Sequence, residues 1–264
     1  MLTSGKYDFC ISFGACCAGA MQLTRRNLRL ASMPFDWVRG ATHEGFLATM
    51  ATLLETNFDG WCLYENLEPV EKGKFDYPVI DPMEVTVWDR RHDMGFFHDF
   101  RYNIFAPDGR PYYEGIYGRY RRRIDRLYEF LGKAESVFGI VIAPEGPFAR
   151  EKVVAFKRRL DALRPNVRFT LANVTFQAPA RKVEEDRENG ILYVDLDRKT
   201  HPYDFGHTSV EWSFLDEVKL TGRIAPAKEG KGKVTASTGM PFWYRLHRRL
   251  YMHCKKVLAR YNAR

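Results

Sequence analysis

A layered α/β/α sandwich on a mostly parallel sheet, with a basic C-terminal helix added, is the fold this sequence predicts. Three observations predict it. Residues 138 to 196 alternate short apolar runs with one amphipathic helical stretch, the signature of strands joined by crossover helices. The apolar run Phe9, Ile11, Phe13 stops at Gly14, and a helical pattern follows within three residues. Two further stretches, around residues 46–58 and 113–131, repeat their apolar positions at helical spacing.

Taken in order, Phe9 to Phe13 reads as a buried strand. Residues 17 to 28 read as a short helix, with Ala18, Ala20, Met21, Leu23 and Leu28 apolar and Arg25, Arg26 and Arg29 outward or near its end, where cations suit the helix dipole. Phe46, Leu47, Met50, Leu53, Leu54 and Phe58 mark a second helix, followed by Gly60. Residues 62 to 82 carry scattered Pro, Gly and charge and read as loop. Val85, Val87 and Phe97 flank a charged turn and read as a hairpin that delivers His98 at the end of its second strand. Tyr113, Ile116, Tyr120, Ile124, Leu127 and Leu131 give a long amphipathic helix ended by Gly132. A strand over Phe138 to Ala143, a helix carrying Val153, Phe156, Leu160 and Leu163, a strand over Val167 to Val174, a turn at Asn189-Gly190 and a strand over Ile191 to Leu196 complete the alternation. Thr208 and Glu211 have the spacing of a capping box for a helix with Trp212 and Leu215. The expected organisation is an α/β domain over residues 1–225, a linker over 226–240 and a basic amphipathic tail over 241–264.

Composition narrows the class. The chain has 264 residues and a formal net charge of +8. Ten Lys or Arg and one acid fall between Pro226 and Arg264, so the rest is nearly neutral and the basicity belongs to the tail. No apolar run approaches the roughly 20 residues of a membrane span, and the N-terminus lacks the basic-then-apolar layout of a secretory signal; a cytoplasmic protein is expected. Five cysteines, an odd number with no CxxC pair, argue against a disulfide framework and a structural zinc site. No cofactor is expected, and no metal. Asp89, His92 and Asp93 read as a solvated hairpin tip rather than as ligands. Arg119, Arg121, Arg122, Arg123 and Arg126 read as a solvated helix face, with Asp125 and Glu129 as partners.

The chemistry concentrates at two places. Cys16 and Cys17 fall at the first turn of a helix just past a strand, where the dipole and free N–H groups favour a thiolate. His98 is a candidate base. Asp99 is its neighbour, but consecutive strand residues point to opposite faces, so Asp36, between Phe35 and Trp37, is the better orienting carboxylate. The blander readings are a small buried hydrophobe for the cysteine, a packed hairpin histidine for His98 and a turn carboxylate for Asp36. The second place is the Asp204-x-x-His207 pair just before the Thr208 helix start.

The pattern Ser12-Phe13-Gly14-x-x-Cys17-x-x-Ala20-x-Gln22-Leu23, with Pro34-Phe35-Asp36-Trp37 and Phe97-His98-Asp99-Phe100, resembles a bacterial family of papain-like cysteine peptidases over roughly the first 145 residues. That resemblance implies Cys17, rather than Cys16, as nucleophile and His98 as base. Asp204 and His207 resemble the last block of SGNH-type esterases, although Gly14-Ala15-Cys16 stands where that family has Gly-Asp-Ser. The expected function is a cysteine-dependent hydrolase of amide or ester bonds acting on a small-molecule, peptide or acyl substrate. The alternatives are an acyl hydrolase using Asp204 and His207, or a non-catalytic binding protein of surface-polysaccharide assembly. In the tail, Trp243, Leu246, Leu250, Cys254, Val257 and Tyr261 form a stripe flanked by Arg245, Arg248, Arg249, Lys255, Lys256 and Arg260. Such a helix suits either its own domain or the inner face of an anionic membrane; nucleic acid is not an expected partner.

Overall fold

The computed structural model describes residues 2–14, 16–40, 45–70, 86–96, 99–100, 103–143, 146–197 and 211–227. Strands β1 (Lys6–Tyr7), β2 (Phe9–Ser12), β3 (Val38–Gly40), β4 (Leu67–Pro69), β5 (Val87–Asp89), β6 (Met94–Phe96), β7 (Ser136–Ile142), β8 (Arg168–Ala178), β9 (Lys182–Asp186), β10 (Ile191–Asp197) and β11 (Lys219–Leu220) are joined by four α-helices. These are α1 (Ala18–Arg25), α2 (Phe46–Glu55), α3 (Arg110–Lys133) and α4 (Arg150–Leu163).

The main sheet has the order β2-β7-β8-β10-β9. Its first four strands run parallel and β9 closes it antiparallel. Parallel strands are covered on both faces and so are apolar on both. Phe9, Ile11, Val137, Val141, Phe169, Leu171 and Ile191 join one core cluster with α2, α3 and α4. Their alternating neighbours Cys10, Phe138, Ile140, Ala172, Val174, Leu192 and Val194 join a second, with Ala18 and Leu23 of α1 and with Trp212 and Leu215. Register is therefore strongly specified: a one-residue slip would exchange the two apolar sets.

A second, antiparallel sheet has the order β3-β6-β5-β4, and β1 pairs with β11 alone. The molecule is thus α/β with several sheets, the largest mostly parallel. The predicted hairpin appears as β5 and β6, but it pairs on either side with β3 and β4, three-residue strands within stretches read as motif and loop. Asp89 is fully buried, not solvated: its carboxylate accepts the backbone N–H groups of Cys62, Arg91 and His92. Gly132 does not end α3, which runs to Lys133. Around Trp212 the chain forms a 3-10 turn, Glu211–Leu215; Thr208 lies outside the described residues. Chain beyond the expected boundary at 225 is still attached to the body, since the Ala227 N–H donates to the Leu30 carbonyl at 3.2 Å. The remainder of the predicted linker and the predicted basic helix over 241–264 lie outside the described residues.

Among the described residues, no helix is long and apolar enough to cross a membrane.

Candidate functional site

The site is built where β2 ends. Gly14 has φ +83°, a left-handed conformation that L side chains rarely adopt. A Cβ there would stand 2.8 Å from the Phe35 carbonyl oxygen and 3.2 Å from that of Val38. The loop after β2 is therefore pressed against the Pro34–Trp37 turn and the start of β3. Gly19, in the first turn of α1, is a second close approach: a Cβ would meet the Ser12 hydroxyl at 2.6 Å and Ile142 at 3.3 Å. The Gly19 approach holds the start of α1 down on the C-terminal ends of β2 and β7, the edge where open α/β sheets carry their ligands.

Cys17 is the N-cap residue of α1, and its carbonyl accepts the Met21 N–H. The two thiols differ. Cys16 belongs to the apolar cluster on the α1 face, and burial lifts its pKa to about 12 despite hydrogen bonds from the Ala18 and Gly19 N–H groups. Its sulfur thus takes up the donors at the helix start. Cys17 belongs to neither apolar cluster among the described residues. Burial lifts its thiol to about 11, with only its own backbone N–H opposing. Against the expectation that the helix dipole favours a thiolate here, desolvation acts on both thiols and raises them above their ordinary range.

Asp36 is buried. It accepts from Arg29 Nη2 at 2.5 Å and from the Met33 N–H at 2.8 Å, closing the turn that bears it. Burial raises its pKa, and the Arg29 charge and the Met33 hydrogen bond oppose that rise. Its described partners are those of an ion-paired turn carboxylate. Arg29 itself stacks beside Trp37, 5.9 Å from the ring centroid.

The arginines of α3 do not form a uniformly solvated face. Arg123 is 7% exposed. It turns inward with Arg119 onto Asp99, at 3.5 and 3.2 Å, and the Tyr120 hydroxyl donates to the same carboxylate. The Tyr112 hydroxyl donates to the Asp99 carbonyl at 3.0 Å. Arg126 donates to the Ser32 carbonyl, and Glu129 pairs with Lys133. Asp99 is the residue that sequence reasoning undervalued. The available signal was the spacing of Arg119 and Arg123, four apart and so on one helix face with Tyr120 beside them.

His98, Asp204 and His207 lie outside the described residues. Among the described residues, no group of three or more His, Cys, Asp or Glu side chains could hold a metal ion, and Cys10, Cys16, Cys17 and Cys62 are free thiols.

A model of the family described as "Putative papain-like cysteine peptidase" matches residues 8–180. An uncharacterized protein of Acanthamoeba polyphaga mimivirus, R408, is 30% identical to the chain over 135 residues, 48% of this chain and 58% of that protein. The chain therefore spans little more than half of that relative. No solved structure matches.

Proposed function

Since the chain belongs to this papain-like cysteine peptidase family, we propose that it is a cysteine hydrolase in which Cys17 attacks an amide or ester carbonyl with His98 as base. The observation that carries the reading is the position of Cys17: N-cap of the helix that follows the first strand of the parallel sheet, outside both apolar clusters. Cys16, by contrast, has its sulfur occupied by the helix-start N–H groups.

Two described flanks support His98. Phe96, two residues before it, pairs with Val38, whose carbonyl lies against Gly14. Asp99, directly after it, is anchored on α3 by Arg119, Tyr120 and Arg123. The two flanks are thus held by β3 on one side and by α3 on the other.

Burial raises the Cys17 thiol, which favours a base-assisted attack like that of a serine hydrolase. The base removes the Sγ proton as the S–C bond forms. The Cys17 backbone N–H, which faces its own sulfur, stabilises the oxyanion. The imidazolium returns the proton to the departing amine or alcohol as its bond to carbon breaks, and water then hydrolyses the thioester. Asp36 acts through the turn it closes, which Gly14 packs upon.

The assignment of the base is tested on a panel of fluorogenic aminoacyl amides and p-nitrophenyl acyl esters. His98→Ala should lower turnover by about 10²- to 10⁴-fold, the usual worth of a general base, and His207→Ala should leave it within about threefold on the same scale. The reverse result assigns Asp204 and His207 instead. Equal turnover in both variants removes the histidine-assisted mechanism.

A further inference from the structure

On the α4 side of the main sheet, at its C-terminal edge, lies a cavity of about 180 Å³. Asn173 on β8 and Tyr193 on β10 are register partners and line it together. Both carry a polar atom that is shut off from water and has no hydrogen-bond partner, Asn173 Oδ1 and Tyr193 Oη. An orphaned buried polar atom costs about 1–3 kcal/mol, and two facing one cavity call for a common explanation. Asn173 is 3% exposed, so its amide oxygen meets a partner only through this cavity.

The charged groups around the cavity balance in number, and one pair of them is joined directly. Arg150, the first residue of α4, pairs with Glu184 through both Nη atoms at 2.5 and 2.6 Å. Its guanidinium covers the Tyr193 ring, 4.4 Å from the centroid. Lys182 stands directly opposite Asp195 in the β9–β10 ladder, and cross-strand opposite charges on one face stabilise each other. Asp195 also accepts the Thr175 hydroxyl at 2.6 Å. The lining is thus two cations against two anions, and what remains unmatched is neutral. Asn173 Oδ1 can only accept. Burial raises the Tyr193 pKa, so its hydroxyl remains protonated and can donate. An acceptor beside a donor, in net-neutral surroundings, is the complement of an N–H beside a C=O.

We propose that this cavity is a binding site for a neutral carboxamide, its N–H donating to Asn173 Oδ1 and its carbonyl accepting from Tyr193 Oη, with Arg150 as the side chain that covers it. The site lies at the level of the Gly14–Cys17 loop: Asn173 pairs with Val141, one residue past the Ile140 that pairs with Ser12. Two strand spacings of about 4.8 Å separate β2 from β8, within reach of a short extended peptide. The inference does not rest on Cys17 being a nucleophile.

The test uses the full chain carrying Cys17→Ala, so that turnover plays no part, and saturation-transfer NMR with propionamide as probe. Propionamide should bind, and its charged isostere propionate should bind at least about tenfold more weakly. Tyr193→Phe removes a hydroxyl that is unpaired without ligand, so it should keep or raise the melting temperature while weakening propionamide about tenfold. Asn173→Ala should weaken it similarly. Propionate or glucose binding as well as propionamide would overturn the proposal, as would propionamide binding that ignores both substitutions, or no binding at all.

Discussion

Cys17→Ala should reduce hydrolysis by about 10⁴-fold or more, to what binding and backbone donors alone provide. Cys16→Ala should leave turnover within about threefold of the parent, because no step is routed through that sulfur and neighbouring groups remain in place. The contrast is informative because the two residues are adjacent and equally buried, each 5% exposed. A general softening of the loop would lower both variants alike. Cys16 packs in an apolar cluster and receives the N–H groups of Ala18 and Gly19, so its loss should appear in stability, at about 1 kcal/mol. Chemical denaturation of the two variants beside their steady-state rates separates the roles.

Asp99→Ala should cost about 3–5 kcal/mol of folding stability, the penalty for removing one member of a buried ionic set and leaving the other stranded. Arg123 has a side chain only 9% exposed. Burial works against its charge, and the Asp99 carboxylate is the largest influence restoring it. Tyr120, whose hydroxyl burial and Asp99 hold well above the ordinary tyrosine range, would lose its acceptor as well. At roughly 3 °C per kcal/mol for a chain of this size, the melting temperature should fall by about 10 °C. Tyr120→Phe, which removes one donor and leaves the ion pairs, should cost only about 1 kcal/mol. Equal effects from the two substitutions would mean that the arginines find other partners and that Asp99 is not the anchor.

Long periodic elements were legible and short paired ones were not. The four parallel strands are apolar on both faces, and all four helices show an apolar stripe, so hydrophobic spacing alone locates them. β9 was missed because Lys182 to Asp186 is a charged edge strand with an exposed pattern, which protects a sheet edge but carries no alternation signal. β3, β4, β1 and β11 have two or three residues each and exist through their partners. At the site, the strand–loop–helix placement of Cys17 could be read locally. The state of its thiol could not, since desolvation depends on what folds over it. Arg123 was misread for the same reason: its partner Asp99 lies 24 positions earlier, and only tertiary packing turns an arginine on a basic helix inward. Asp36 found its cation seven residues away, at Arg29, across a turn rather than along a periodic element.

The most direct test of the Cys17 mechanism is to mix the protein with p-nitrophenyl acetate, quench with acid within the first turnover, and map the acetyl group by mass spectrometry of the peptides. A single acetyl on Cys17, absent from the His98→Ala protein and discharged on longer incubation, is the predicted result. Acetyl spread over Lys side chains and all accessible thiols alike, or its accumulation on Cys17 without any release, would contradict the account.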